Sequence, residues 1–368
     1  MVRGWISSPD GRHHGAHYAE AARTLGKHSD DFLDFSQNVN PLGPPEAALV
    51  AGAEALRGEV GRYPHLHYPE LRAALADYLE IPPEMVLPTN GGAEALFVAA
   101  RAAVEGPVGS KAIILEPTFS EYAAAARAAG LEVVRVVARS PKTGFCLDLA
   151  VLDETLKGLH DVSVVFLCNP NNPTGDAVPR EEVLRAAKRV QETGAVLVVD
   201  EAFADFAPEA SVGSEADDTL FVARSFTKFF AVPGLRLGCL VARDPERIRV
   251  FQPSWSVNAV AAAAGIAAAR EPNFVKATLA EVTLRRRELL DALEGLARIT
   301  AYAGAANFLL VQGPEGLSKR LAKKGVLVRG CEPFLGLGSG FFRVAVRRKE
   351  ENEQLVEALH DVLFGEAS

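Results

Sequence analysis

Lys228 lies in the run Ser225-Phe226-Thr227-Lys228-Phe229-Phe230, a single amine among three aromatic rings, followed by Pro233-Gly234-Leu235-Arg236. Such a lysine is either an amphipathic side chain reaching past the rings to water or an amine whose pKa desolvation has lowered. The second kind is a nucleophile that condenses with carbonyl compounds. Earlier in the chain, Asp200 and Glu201 close the apolar run Val196-Leu197-Val198-Val199. Two carboxylates there are costly to bury without a cation, so one of them is expected to meet a positive group. If Asp200 still belongs to a strand, Ala202 shares its face. Thr89-Asn90-Gly91-Gly92-Ala93-Glu94 is a glycine turn opening an apolar helix, whose free N–H groups can hold an anion, although a turn alone explains the glycines. Phe119, in Glu116-Pro117-Thr118-Phe119, reads in isolation as core. The loop Asn169-Pro170-Asn171-Asn172-Pro173-Thr174-Gly175 is stiff and polar, which turn chemistry also explains.

These segments share a position: each follows a short aliphatic run. Strands are expected over Met85–Leu87, Ala112–Leu115, Glu132–Val137, Val162–Leu167, Ala195–Val199, Thr219–Ala223 and Leu237–Val241, with helical stretches between them. One such helix, Glu181–Thr193, puts Val183, Leu184, Ala187 and Val190 on one face and has Gly194 just beyond its end. This alternation is the signature of an α/β domain with a mostly parallel seven-stranded sheet, in which ligands bind at the carboxyl ends of the strands. Beyond residue 250, helices over Val257–Arg270 and Phe274–Leu296 lead to short strands around Phe308–Val311, Val326–Arg329 and Phe341–Val346. A last helix over Glu350–Leu363 completes what reads as a smaller α+β domain. The expected division is an N-terminal arm joining the small domain (1–42), a large domain (43–255) and a small domain (256–368).

Composition narrows the partners. The chain has 368 residues, 48% hydrophobic and 23% charged, with 39 basic against 47 acidic residues and a net charge of -8, so it is globular and a poor nucleic-acid binder. Its four cysteines, Cys146, Cys168, Cys239 and Cys331, are too scattered for a zinc site or a disulfide framework. His13 and His17 have the i, i+4 spacing of a metal pair but lack a third ligand, so no metal is expected. The first residues lack an export signal, and the alanine-rich run 259–269 is too short and weakly apolar to cross a bilayer. A cytoplasmic protein without membrane partners is expected.

Taken together, the strand ends supply a phosphate cradle, an aromatic plate, a polar amide, a carboxylate and a lysine, with Arg236 as a further anion partner. Pyridoxal 5'-phosphate needs that inventory: its phosphate must be neutralised, its ring stacked, its ring oxygen and nitrogen bonded, and its aldehyde met by an amine. At these residues the chain resembles the class I/II aminotransferase superfamily of fold type I, over nearly its whole length. The resemblance implies Lys228 as the cofactor's Schiff-base lysine, with Ser225, Arg236 and the backbone of Gly92 and Ala93 as phosphate ligands. It implies Asp200 as the partner of the pyridine nitrogen, Ala202 and Phe119 on the two ring faces, and Asn172 bonding the ring oxygen. Tyr63, in Arg62-Tyr63-Pro64, matches a tyrosine that reaches the phosphate of the neighbouring subunit, which implies a homodimer. Arg343, in Phe341-Phe342-Arg343-Val344, matches the arginine that grips the substrate carboxylate. Phe203 departs from the pattern, because many such enzymes carry Tyr there with its hydroxyl on the ring oxygen. The bound chromophore is therefore expected to titrate at higher pH than in the Tyr enzymes.

Within the superfamily, several segments are similar to the threonine-phosphate decarboxylase branch more than to the histidinol-phosphate aminotransferases. They include Asp34-Phe35-Ser36, Asn38-Val39-Asn40-Pro41, Tyr68-Pro69-Glu70-Leu71-Arg72, Pro117 to Tyr122, Asp200 to Phe206 and Val328-Arg329-Gly330-Cys331. That implies decarboxylation of L-threonine O-3-phosphate to aminopropanol phosphate, in cobalamin biosynthesis. The alternative is transamination of histidinol phosphate with 2-oxoglutarate. The branch's N-terminal His-Gly-Gly-Asn stands here as His14-Gly15-Ala16-His17. A small doubly anionic substrate suits Arg329 and Arg343, with His14 as a further phosphate contact, because net charge alone would repel it. Arg329 closing an internal ion pair is the structural alternative. Ser225-Phe226-Thr227-Lys228 and Lys142-Thr143-Gly144 have the Ser-x-x-Lys and Lys-Thr-Gly forms of penicillin-binding enzymes, but stand in the wrong order without Ser-Asp-Asn between them. A cofactor-sensing regulator would need a basic DNA-binding domain, for which the short N-terminal arm leaves no room.

Overall fold

The run Val162–Cys168 is buried at every residue, the pattern of a central strand covered on both faces. A computed structural model describes residues 31–104 and 109–365, together with Arg23, Gly26 and His28. Its strands are β1 (Leu33–Asp34), β2 (Val86–Thr89), β3 (Lys111–Glu116), β4 (Glu132–Val137), β5 (Val162–Cys168), β6 (Val196–Asp200), β7 (Leu220–Ser225) and β8 (Gly238–Val241). Later come β9 (Thr300–Tyr302), β10 (Phe308–Gln312), β11 (Val326–Leu327), β12 (Arg329–Gly330) and β13 (Phe341–Ala345).

The large sheet has seven strands in the order β2-β8-β7-β6-β5-β3-β4. Six run the same way, and β8 runs against both its neighbours, so the expected mostly parallel sheet is present. Two apolar layers cover it. One includes the helix Gly91–Ala103, which buries Leu96, Val98, Ala99 and Ala103; the other includes Arg180–Gln191, burying Val183, Ala186 and Val190. The second helix stops where Gly194 takes a φ of +80°, as its sequence anticipated. Asn258 caps the helix Ala259–Ala269 by accepting from the Ala261 N–H at 2.8 Å.

The second sheet is antiparallel, β12-β13-β10-β9, and packs on the helices Pro272–Glu294 and Lys349–Phe364. The single strand expected over Val326–Arg329 is two strands. β11 pairs with β1, while β12 pairs with β13, because the chain changes partners at Val328. Elsewhere boundaries move by one or two residues, and two shifts matter: β6 extends to Asp200 and β7 to Ser225, placing both side chains on rigid strand ends. No helix among the described residues is long and apolar enough to cross a membrane.

Candidate active site

The anion cradle forms where two strands end and a third begins. Gly238 at the start of β8 pairs with Thr89 at the end of β2 and with Ser225 at the end of β7. A Cβ on Gly238 would lie 2.6 Å from backbone atoms of Gly91 and Gly92, so the two turns touch main chain to main chain. Gly91 holds φ at +77°, and a Cβ there would come within 2.9 Å of the Arg236 guanidinium. Glycine thus lets that cation lie against the helix start, where the N–H groups of Gly91, Gly92 and Ala93 have no acceptor within the helix. The Ser225 and Thr227 hydroxyls are 2.8 Å apart, and Lys228 Nζ donates to Thr227 Oγ1 at 3.0 Å. Two hydroxyls, a guanidinium, an amine and a helix N-terminus therefore converge, a donor set made for a phosphate.

Burial brings the Lys228 amine down to about 8, helped by the positive charges of Arg236 and Arg343 and opposed by Asp200. The nucleophilic reading of this lysine is the one its surroundings support. Asp200 is buried, and desolvation raises its carboxyl pKa. Against that, Tyr122 Oη donates to Oδ2 at 2.7 Å and the Ala202 N–H donates to Oδ1 at 3.0 Å, both favouring the ionised form. The expected cation belongs to the other carboxylate. Glu201 accepts from Arg224 at 2.7 Å and from Ser211 and Val212, and Arg224 also donates to Asp205 at 2.5 Å. Asp200 thus remains the carboxylate facing the lysine's field.

The second sheet brings in Arg343 and Arg329, opposed in the register of β12 and β13 and both buried. Residues directly opposite in an antiparallel pair share a face. Arg343 donates to the Asn172 side-chain oxygen and to the Ser36 carbonyl, the latter at 2.9 Å, neither of them an ion. Its guanidinium lies 5.1 Å above the Phe308 ring, and its Nε is buried without a hydrogen-bond partner. Burial and the neighbouring Arg329 push its pKa down to about 9. Arg329 sits 5.8 Å from the Phe334 ring, and burial lowers its pKa too. The segment leading from Ser36 packs on the lysine turn. Asn40 donates from its backbone to the Lys228 carbonyl and from its side chain to the Phe229 carbonyl and Thr278. Beside it, Asn38 Oδ1 is buried without a hydrogen-bond partner. Phe203 is buried with its ring edge-on to Phe308 at 5.0 Å.

The structure thus gathers Gly92, Ala93, Ser225, Lys228 and Arg236 at one strand-end corner, Asp200 with Ala202 beside it, and Asn172 joined to Arg343. Phe119 is half-buried, edge-on to Tyr122 at 5.8 Å. Tyr63 stands apart, 81% exposed with its ring 4.7 Å from Trp255. His13, His14 and His17 lie outside the described residues. Sequence reasoning missed Gly91, Thr227 and Tyr122 as parts of the site. Gly91 and Thr227 adjoin residues it did choose, and Tyr122 lies three residues beyond Phe119, in the first turn of the helix Glu121–Ala128.

Residues 30–359 match the family model for aminotransferases of class I and II. The chain belongs to that family and is a pyridoxal-phosphate enzyme, and the donor set described above fits the cofactor. Among its relatives, it is 38% identical to threonine-phosphate decarboxylase of Salmonella typhimurium, covering 96% of this chain and 97% of the relative. It is 33% identical to histidinol-phosphate aminotransferase of Methanopyrus kandleri, covering 94% and 91%. The fold is also that of the histidinol-phosphate aminotransferase from Sinorhizobium meliloti, solved in complex with pyridoxal-5'-phosphate, with a TM-score of 0.83, 21% identity and 98% of each chain covered.

Proposed function

We propose that this enzyme decarboxylates L-threonine O-3-phosphate to aminopropanol phosphate, a reaction of cobalamin biosynthesis. The observation that carries the reading is the opposition of Arg329 and Arg343 across β12 and β13. Opposite one another on neighbouring strands and both buried, the two guanidinium groups offer two fork-shaped donors on one face, a pairing suited to a small substrate that carries both a carboxylate and a phosphate. The 38% identity to a decarboxylase of that substrate supports the same choice.

In this reading Lys228 holds the cofactor's aldehyde carbon, Asp200 its ring nitrogen and Asn172 its ring oxygen through the amide Nδ2. Ala202 and Phe119 cover the two ring faces, and Ser225, Arg236 and the Gly92 and Ala93 N–H groups hold the phosphate. Bound there, pyridoxal phosphate supplies an electron-accepting ring for the pair released when a bond at the substrate's Cα breaks. Arg343 takes the substrate carboxylate, and Arg329 with His14 takes its phosphate. Anchoring both ends would hold the substrate's Cα in one orientation beside Lys228. The Lys228 amine, with its pKa near 8, can hold or deliver a proton at Cα near neutral pH. Tyr63 would reach the partner subunit's cradle in a homodimer. Leu49, Val50, Leu56, Val60, Val250 and Tyr63 are exposed apolar or aromatic side chains that such a contact would have to cover at least in part. The domains are those set out from the sequence (1–42, 43–255 and 256–368), and the enzyme works in the cytoplasm without metal, nucleic acid or membrane.

The test has two stages. The protein loaded with cofactor is yellow, loses that colour on borohydride reduction, and Lys228→Ala abolishes the reducible band. Carbon dioxide released from threonine O-3-phosphate alone supports decarboxylation. Glutamate formed from histidinol phosphate and 2-oxoglutarate, without carbon dioxide from the first substrate, would overturn it in favour of transamination.

A further inference from the structure

We propose that Tyr122 is a positioning residue for the reaction: by donating to Asp200 it holds that carboxylate ionised and aimed, and so keeps the shared proton on the cofactor's ring nitrogen. The proposal rests on the reading of Asp200 as the ring nitrogen's partner. Tyr122 is fully buried at the start of the helix Glu121–Ala128. Its ring stacks on Phe166 at 5.3 Å, with the planes within 8°, and Phe119 meets it edge-on. The phenol therefore has little freedom, and its Oη sits 2.7 Å from Asp200 Oδ2. Desolvation and the neighbouring carboxylate push the phenol's pKa well up, so at working pH it keeps the proton that it donates to Asp200.

The direction of the effect follows from the competition for one proton. A buried carboxylate with two donors stays ionised and leaves the proton on the pyridine; with one donor it becomes the better base. A hydrogen bond to a charged group in a dry site is worth about a ten- to hundredfold change in that equilibrium. A neutral ring accepts an electron pair less readily, so turnover falls while substrate binding, which uses Arg343 and Arg329, holds.

The experiment compares wild-type and Tyr122→Phe holoenzymes loaded with pyridoxal phosphate carrying 15N in the ring. Tyr122→Phe removes one oxygen and keeps the ring in its stack, and circular dichroism checks that it folds. The expected result is a 15N shift that moves from the pyridinium toward the neutral pyridine value, with kcat lowered about ten- to hundredfold and KM unchanged. Tyr122→His, which restores a donor, should bring the shift part of the way back. Phe166→Leu loosens the stack but keeps the phenol, so it should lower stability without moving the shift. An unchanged 15N shift in a folded, cofactor-loaded Tyr122→Phe enzyme overturns the proposal, and so does an equal shift in Phe166→Leu. If the wild-type enzyme forms no borohydride-reducible band, the cofactor assignment fails instead, which separates the two failures.

Discussion

The chemistry of Lys228 can be tested before any substrate is known. With its amine at about 8 rather than 10.5, about a quarter of it is neutral at pH 7.5, against about one part in a thousand for an ordinary lysine. The apoenzyme should therefore condense with pyridoxal, which lacks the phosphate, at a rate that climbs through pH 8 and levels off above about 9. At pH 7.5 that rate should be about two hundred times what an unperturbed amine of equal reactivity would give. The assay follows the visible band in phosphate-free buffer, with borohydride trapping and peptide mapping to Lys228. Burial is the larger cause of the shift and Arg236 the next, so Arg236→Gln should move the midpoint upward without restoring it to 10.5. Linkage gives a second check. The unfolded chain still binds this proton between pH 8 and 10.5 and the folded chain does not, so apoenzyme stability should rise with pH across that window. A rate midpoint at or above pH 10 in the wild-type protein would refute the reasoning.

Three further outcomes follow from the geometry. Arg224→Met leaves Glu201 and Asp205 buried without their cation and should cost about 3–5 kcal/mol in urea unfolding. Adding Glu201→Gln and Asp205→Asn should recover most of that, and a loss under about 1 kcal/mol would show that the network matters little. Arg343→Gln should lower kcat/KM by about thirtyfold or more, while the apoenzyme melts no lower than the parent, because a buried charge pushed down to about 9 has been removed. A thermal melt of the apoenzyme and steady-state kinetics decide both halves. Phe203→Tyr should lower the pH midpoint of the holoenzyme's visible band by up to about one unit by adding a donor near the ring oxygen. A spectral titration with an unmoved midpoint would show that the hydroxyl does not reach it.

The strand-end chemistry was readable because it is local. Each chemical segment follows an aliphatic run, and period-two and period-3.6 patterns are written over a few neighbouring residues. The helix ending at Gly194 is legible for the same reason. The strand around Val326–Arg329 was not, since nothing in four aliphatic and basic residues tells the chain to pair first with β1 and then, past Val328, with β13. Which of Asp200 and Glu201 meets a cation was equally hidden, although the family resemblance had already singled out Asp200 for the ring nitrogen. A carboxylate's need for a cation is a rule of composition, but Arg224 reaches Glu201 because β6 and β7 lie side by side.

By itself, then, the sequence determined the α/β class and the residue types at each strand end, and with them the cofactor they could hold. Only the tertiary structure decided which of those residues meet. Strand order puts Gly238 against Gly91 and Gly92, so that Arg236 can lie over a helix start where a Cβ would intrude. It also sets Tyr122 against Asp200, 78 residues away, and Arg343 against Asn172, 171 residues away. Contacts of that separation depend on how whole elements pack, and packing energy is shared among many side chains rather than written into any one segment.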